Sequence, residues 1–135
     1  MSGICEGRVV IITGAGGGLG AAHARVLAQE GACVVVNDIN EAAAAKVVAQ
    51  ITEAGGKAVV NTSDITNYDD SLNAVKQALD SYGDLHGVVN NAGINRDRMF
   101  ASMTEEDWDL IMAVHLKGHF CISSHAVHYW RGRAK

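Results

Sequence analysis

The chain has 135 residues, of which 48% are hydrophobic and 19% charged, and its formal net charge is −4. These proportions are typical of a globular domain, and the negative charge provides no basic field for nucleic acid or an anionic membrane. The apolar stretches are far shorter than the roughly 20 residues of a membrane-spanning helix, and the first residues carry no secretory signal. Three widely spaced cysteines are typical of reduced cytosolic thiols. We therefore expect a single cytoplasmic domain over residues 1–135, without a metal site.

Short apolar runs and helical segments alternate along the chain. The runs are rich in β-branched residues and predict buried parallel strands at Arg8–Thr13, Cys33–Asn37, Lys57–Asn61 and Leu85–Asn90. Between them lie three predicted helices, each closed by glycine: Ala21–Glu30, Glu41–Ala54 and Asp69–Tyr82. This alternation predicts an α/β fold, a Rossmann-type doubly wound parallel sheet with right-handed crossovers.

The last part of the chain predicts a loop followed by one long helix. The loop extends from the fourth strand through Phe100, and Thr104–Asp107 then forms a capping-box pattern, a hydroxyl at the helix start with acids in the first turn. We expect the helix to run to about Trp130. One face of this helix is apolar: Trp108, Ile111, Met112, Leu116 and Phe120.

The turn between the first strand and the first helix is rich in glycine, with the sequence Thr-Gly-Ala-Gly-Gly-Gly-Leu-Gly over residues 13–20. A turn of this kind brings backbone N–H groups and a helix N-terminus against a pyrophosphate, and side chains would block that approach. The predicted cofactor-binding residues of the turn are Gly14, Gly16, Gly17, Gly18, Leu19 and Gly20. The alternative is a glycine-rich turn that binds nothing.

Asp38 directly follows the second predicted strand. At this position a carboxylate accepts hydrogen bonds from both hydroxyls of the adenosine ribose, and it also repels a 2′-phosphate. Neither Gly17 nor Asn37 offers a cation that would hold such a phosphate. The pattern predicts NAD rather than NADP as the cofactor, and the alternative is a solvated carboxylate at a strand end.

Four motifs together resemble those of the short-chain dehydrogenase/reductase family, and the likeness covers essentially the whole chain. In chain order the motifs are Thr13–Gly20, Asp38, Asp64-Ile65 and Asn90–Gly93. The resemblance implies an oxidoreductase that transfers a hydride between its cofactor and a secondary alcohol or ketone.

The resemblance also implies roles for the two later motifs. It implies that Asp64 contacts the adenine amine with Ile65 beside it, and that the stretch of Asn91, Ala92 and Gly93 lines the adenosine ribose side. Both motifs follow predicted strand C-termini, the edge at which open α/β sheets bind ligands. We therefore count all five residues as cofactor-binding.

Three segments carry a narrower resemblance within the family: residues 90–100, Asp107-Trp108-Asp109 and Val114–Gly118. These segments are similar to the hydroxyacyl-CoA dehydrogenase domain of peroxisomal multifunctional enzymes and to bacterial 3-oxoacyl reductases. The likeness implies a 3-hydroxyacyl or 3-oxoacyl thioester as substrate, or a bulkier sterol-like chain. In the family the helix matching residues 108–130 packs against its counterpart, which implies a homodimer or homotetramer.

The family's catalytic serine and Tyr-x-x-x-Lys motif are not found. Each tyrosine is followed four positions later by a residue other than lysine: Tyr68 by Leu72, Tyr82 by His86 and Tyr129 by Arg133. We therefore expect the sheet to be incomplete at its C-terminal side and the chain alone to be inactive. The alternatives are an inactive dinucleotide-binding or interaction module and an epimerase or dehydratase of the extended branch, which the glycine spacing disfavours.

His115 is the one candidate catalytic residue within the chain. The family's usual pattern has asparagine at this point, supporting a water that leads to the catalytic lysine, whereas the hydroxyacyl-CoA branch carries histidine. An imidazole could bind the same water and take part in a proton relay. The alternatives are a helix histidine bonded to a backbone carbonyl, or a two-histidine metal site with His119, which lacks the further ligands that such a site needs.

Overall fold

A computed structural model of the protein describes residues 3–133. The strands are β1 (Val9–Ile12), β2 (Cys33–Asn37), β3 (Lys57–Asn61) and β4 (Gly87–Val89). The helices are α1 (Gly18–Gln29), α2 (Glu41–Glu53), α3 (Tyr68–Tyr82), α4 (Glu105–Met112) and α5 (Gly118–Arg133), with a 3₁₀ turn at Phe100–Ser102 and a π-helical segment at Ala113–Lys117. Residues 1, 2, 134 and 135 of the predicted domain lie outside the described residues.

The four strands form one parallel sheet in the order β3-β2-β1-β4. The predicted parallel α/β fold of Rossmann type is therefore confirmed. The order reverses between β1 and β4, and ligands bind beyond the strand C-termini at such a reversal. The glycine turn and the motif at Asn90–Gly93 follow these two strands.

The fourth strand is shorter than predicted, covering Gly87–Val89 instead of Leu85–Asn90. The backbone of Leu85 bonds to side chains instead of a neighbouring strand: its N–H donates to Asp84 Oδ1 at 2.8 Å, and its carbonyl accepts from Trp130 Nε1 at 2.7 Å. The Leu85 side chain is nevertheless fully buried. Its apolar character therefore reflects burial against the helices rather than strand pairing.

Helices cover both faces of the sheet. Ile12, Val34 and Val36 pack on one face with α1 and α2, while Ile11 and Val35 pack on the other with α3 and α5. Because β1 and β2 are buried on both faces, their sequences are continuous apolar runs. Among residues 3–133, no helix has the length and apolar content that crossing a bilayer requires.

The predicted long helix is divided by the π-helical segment. The capping box at its start is confirmed, because Asp107 N donates to Thr104 Oγ1 and Thr104 N donates to Asp107 Oδ2. Helix α5 buries Cys121, Ile122 and Ala126 against the sheet and α3.

Three of the five residues of the apolar face predicted from the sequence are exposed, and the other two, Ile111 and Met112, are half-buried. Trp108, Leu116 and Phe120 are all more than half exposed. We call these three residues the exposed stripe. A folded monomer rarely presents several large apolar side chains together unless they contact another molecule.

Candidate dinucleotide-binding site

The glycine turn joins the end of β1 to the start of α1. Gly14 and Gly18 have φ angles of 62° and 53°, a conformation that favours glycine. A Cβ atom on Gly14 would lie 2.8 Å from Ala92 Cα, and one on Gly20 would lie 2.3 Å from the carbonyl oxygen of Gly14. The turn therefore packs closely against the segment that follows β4, and side chains at these glycines would separate the two.

The glycines form the first turn of α1, which begins at Gly18 and not at the predicted Ala21. The backbone of Ala21 donates to the carbonyl of Gly17 at 3.1 Å, so the helix includes residues that were expected to precede it. A Cβ on Gly17 or Gly18 would meet nothing within 4 Å, and Leu19 is 74% exposed. The open first turn of a helix has unpaired N–H groups and favours an anion.

Asp38 lies against the glycine turn. Its Oδ2 accepts from the backbone N–H of Gly16 at 2.9 Å, and its Oδ1 accepts from Asn40 N at 2.9 Å. A Cβ on Gly16 would lie 2.7 Å from Asp38 Oδ2. Glycine at position 16 is therefore needed for the carboxylate to approach the turn. The two hydrogen bonds fix the carboxylate at the edge of the cavity described next.

A cavity of about 460 Å³ opens along the C-terminal edge of the sheet. Eight of the predicted cofactor-binding residues line it: Gly14, Gly17, Asp38, Asp64, Ile65, Asn91, Ala92 and Gly93. The other residues of the glycine turn do not: Gly16, Gly18, Leu19 and Gly20. Among residues 3–133, no lysine or arginine lines the cavity, so a negatively charged 2′-phosphate would meet Asp38 without a compensating cation from this range.

The Asp64-Ile65 motif forms the wall of the cavity after β3. Asp64 Oδ1 accepts from the backbone N–H and the hydroxyl of Thr66, at 2.9 and 2.7 Å, and Asp64 N donates to Asp70 Oδ2 at 2.7 Å. The side chain of Ile65 is buried, and a Cβ on Gly118 would lie 2.9 Å from its Cδ1 atom. Ile65 therefore anchors the wall to α5 while the Asp64 side chain is exposed.

Thr13 and Asn91 join the ends of β1 and β4. Asn91 Nδ2 donates to the carbonyl oxygens of Thr13 and Gly14 at 3.1 and 3.2 Å. Thr13 Oγ1 accepts from the backbone N–H groups of Asn91 and Ala92 at 3.1 and 3.0 Å. Asn91 thus braces the two strand ends in addition to its predicted cofactor-binding role. Thr13, which is fully buried, begins the predicted Thr13–Gly20 motif but was not among the predicted cofactor-binding residues.

The cavity also has lining residues that were not predicted: Asn37, Ile39, Ser63, Thr66, Ile94 and Val114. Asn37 and Ile39 flank Asp38, while Ser63 and Thr66 flank the Asp64-Ile65 motif. Ile94 follows Gly93, and Val114, which reaches the cavity from the π-helical segment, precedes His115. Position next to a predicted residue was therefore the available signal for all six.

The family model described as short chain dehydrogenase matches residues 8–135. The chain belongs to this family. A short chain dehydrogenase from Mycobacterium avium, solved by crystallography, is 49% identical with a TM-score of 0.95, and the match covers 98% of this chain and 50% of that one. The fold of the present chain is therefore that of the matching half of a short-chain dehydrogenase.

Curated relatives include two enzymes named for acyl substrates. A hydroxyacyl-CoA dehydrogenase of Mycobacterium tuberculosis is 46% identical, with 96% of this chain and 42% of that protein covered. A 3-oxoacyl-[acyl-carrier-protein] reductase of Thermotoga maritima is 38% identical, with 92% and 50% covered. The peroxisomal multifunctional enzyme type 2 of mouse is 48% identical, with 87% and 17% covered. The chain thus spans half or less of the length of these relatives.

His115 of this short-chain dehydrogenase lies in the π-helical segment. Its Nε2 atom is 2.7 Å from the carbonyl oxygen and 3.0 Å from the backbone nitrogen of Ile94. A Cβ on Gly93 would lie 2.7 Å from its Cε1 atom, so the ring packs on the Asn90–Gly93 motif. This bond to a backbone group corresponds to one of the alternatives stated above, and it brings the imidazole next to the cavity-lining segment.

His115 and His119 do not form part of a larger ligand cluster. In the range 3–133 there is no group of three or more His, Cys, Asp or Glu side chains placed to hold a metal ion. His119 Nε2 is buried without a hydrogen-bond partner in that range.

Tyr129 and Arg133 both bind the carboxylate of Asp84. Tyr129 donates to Asp84 Oδ1 at 2.7 Å, and Arg133 forms an ion pair with the same carboxylate. These two hydrogen bonds hold the pKa of Asp84 well below its usual range, and the bond from Tyr129 to Asp84 raises the pKa of that phenol. The three side chains fasten the end of α5 to the loop before β4.

Proposed function

We propose that this chain is the NAD-binding part of an oxidoreductase that transfers a hydride between NAD(H) and a secondary alcohol or ketone, with a 3-hydroxyacyl or 3-oxoacyl thioester as substrate. The observation that carries the cofactor proposal is the Asp38 carboxylate, fixed by Gly16 N at 2.9 Å at the edge of a cavity that no lysine or arginine of the described part of the chain lines. The names of the acyl-specific relatives support the substrate class.

The residues present fit a dinucleotide. Gly17 and Gly18 at the start of α1 leave open space around the backbone, and the unpaired N–H groups of a first helical turn would face the pyrophosphate there. Asp38 would accept from the ribose hydroxyls, and Asp64 from the adenine amine. When bound, the cofactor supplies a nicotinamide ring that accepts or donates the hydride.

His115 is proposed to act in proton transfer, since its ring lies against the segment after β4 and an imidazole can both donate and accept. In an enzyme that also carries the family's serine, tyrosine and lysine, His115→Ala should lower kcat and alter its pH profile. Unchanged kcat with an unchanged pH profile would leave His115 with only its bond to Ile94.

We also propose that the 135 residues alone bind the cofactor without turnover, because they do not include the family's Tyr-x-x-x-Lys motif. The exposed stripe supports a further proposal, that subunits associate as a homodimer or homotetramer through the helices spanning residues 108–130. Self-complementary packing of matched helix faces is how a two-fold interface forms.

Ligand-observed NMR with NAD and NADP tests the cofactor proposal, because it detects weak binding. We expect NAD to bind about tenfold or more tightly than NADP, since hydrogen bonds to a charged group are worth about 1.5–3 kcal/mol. Asp38→Ala should remove most of this preference. Asp80→Asn, which removes an exposed carboxylate on α3, is the control and should leave the preference intact. Equal binding of the two dinucleotides to the unmodified chain would contradict the proposal.

A further inference from the structure

A chain of three side-chain amides runs from the cavity to α3. Asn37 Nδ2 donates to Asn61 Oδ1 at 2.8 Å, Asn61 Nδ2 donates to Gln77 Oε1 at 2.8 Å, and Gln77 Nε2 donates to the carbonyl of Val60 at 2.6 Å. Asn37 is 2% exposed and Asn61 is 6% exposed, while Gln77 is half-buried. We call these three amides the amide relay. Buried polar groups of this kind are costly unless every one is paired.

Backbone groups fix the orientation of the relay. Ser63 N donates to Asn61 Oδ1 at 3.1 Å, and Asn37 Nδ2 also donates to the carbonyl of Ser63 at 3.1 Å. A backbone N–H can only donate, so Asn61 must turn its oxygen toward Ser63 and its nitrogen toward Gln77. The carbonyl of Val60 can only accept, which fixes the other end. None of the three amides can flip without breaking a bond to the backbone.

The relay joins the separate parts of the cavity that hold the predicted cofactor contacts. Asn37 precedes Asp38, and its backbone carbonyl accepts from Ala15 N of the glycine turn at 2.9 Å. Its side chain holds Ser63, the residue before Asp64. The backbone N–H of Asp38 donates to the carbonyl of Asn61 at 3.0 Å. A shift of the relay would therefore move Asp64 relative to Asp38.

We propose that Asn37 is a positioning residue for the adenosine half of the dinucleotide, acting with Asn61 and Gln77 to set the place of the Asp64 wall relative to Asp38. This inference rests on the proposed NAD function. The carboxylate of Asp38 is held by Gly16 N and Asn40 N, and the bond from its backbone N–H to the carbonyl of Asn61 involves no side-chain amide. Loss of the relay should therefore weaken recognition of the adenine more than recognition of the ribose.

This split separates positioning from a purely structural role. The preference for NAD over NADP reports on Asp38. The preference for NAD over nicotinamide hypoxanthine dinucleotide, which has a carbonyl in place of the adenine amine, reports on Asp64. A residue that only stabilises the fold would lower both preferences together or neither.

The experiment measures both preferences by ligand-observed NMR for the unmodified chain and for Asn37→Leu, an apolar side chain of similar size. We expect the unmodified chain to prefer NAD over the hypoxanthine analogue about tenfold. In Asn37→Leu this preference should fall toward one while the preference over NADP stays within about twofold. Gln77→Leu should give the same pattern with a smaller loss, because its side chain is half-buried. If Asn37→Leu does not fold, Gln77→Leu tests the positioning role of the relay in its place.

The matched control is Gln50→Ala. It removes an exposed amide of α2 that accepts a hydrogen bond from Arg25 of α1, and it should change neither preference. Equal losses of both preferences in the relay variants, or no loss in either, would overturn the positioning role. Absence of NAD binding by the unmodified chain would instead overturn the proposed function, and the inference with it.

Discussion

The two edge strands of the sheet differ in how they are protected. β3 has five residues, begins with the exposed Lys57 and ends in the buried amide of Asn61. β4 has three residues, Gly87, Val88 and Val89, and none of them is charged. Charged side chains on an edge strand discourage pairing with other chains. The exposed lysine therefore protects the β3 edge, whereas the β4 edge, which α5 contacts, has no charged residue in its strand and is suited to further contacts.

The largest expected effect concerns the helix that covers the β4 side. Ile122 of α5 is fully buried, so Ile122→Ala should lower the free energy of unfolding by about 2–5 kcal/mol. Ile51→Ala, at a buried position of α2 on the β3 side, should cost a similar amount. Urea denaturation measures both. Light scattering should show increased association for Ile122→Ala alone, because only that change loosens α5 over β4, and equal association of the two variants would refute the difference between the edges.

The second effect concerns association through the exposed stripe. We expect the unmodified chain to self-associate or aggregate, and Phe120→Lys to reduce this, because Phe120 is 61% exposed and the ring that it stacks on, Tyr68, is itself exposed. Ile4→Lys changes a residue that is 91% exposed at the other end of the chain and is the control. Size-exclusion chromatography with light scattering gives the mass. A cooperative, monomeric melt of the unmodified chain would instead favour a stand-alone module.

The third effect is a pH dependence on the β4 side. The pKa of Asp84 is lowered by the hydrogen bonds from Tyr129 and Arg133, so its contribution to stability is present above the ordinary aspartate pKa of about 3.9 and is lost as the pH falls below it. Asp84→Asn should lower Tm at neutral pH and flatten the fall of Tm in acid. Thermal melts from pH 7 to pH 2 measure this. A parallel shift at every pH would show that the ionised carboxylate contributes nothing.

The smallest effect concerns the start of α4. Thr104→Ala removes the hydroxyl that accepts from Asp107 N at 3.1 Å and should lower the free energy of unfolding by about 1 kcal/mol. Thr104→Ser keeps the hydroxyl and should retain most of the stability in the same urea titration. If serine were as destabilising as alanine, the methyl group rather than the cap would account for the loss.

Local patterns were sufficient for most of the fold. The β-branched runs of β1 to β3 and the capping box at Thr104 were predicted because their causes lie within a few residues. The glycine turn and Asp38 were predicted for the same reason, as both follow directly from strand ends. The fold that the sequence predicts is thus the part determined by short-range chemistry.

The features that were missed depend on residues distant in the chain. The carbonyl of Leu85, just before β4, accepts from Trp130, which lies 45 residues further along the chain, and the amide relay joins Asn37 to a residue of the next strand. The exposed stripe had the periodicity of an amphipathic helix, and periodicity alone does not tell a core face from a contact face. Local sequence patterns do not contain this information, because they do not show which surfaces come into contact in the folded chain.

The π-helical segment between α4 and α5 has a consequence for the phase of the helix. A π-helical turn contains an extra residue relative to an α-helix, and each residue of an α-helix advances by about 100°. If all residues of Ala113–Lys117 wound as a regular α-helix, α5 would therefore be rotated by about 100° relative to α4, and Ile122 would turn away from the sheet. Deleting one residue from the segment would instead restore a regular helix with Ile122 still facing the sheet, so the wider turn is what allows the segment to hold one more residue without exchanging the core and surface faces of α5.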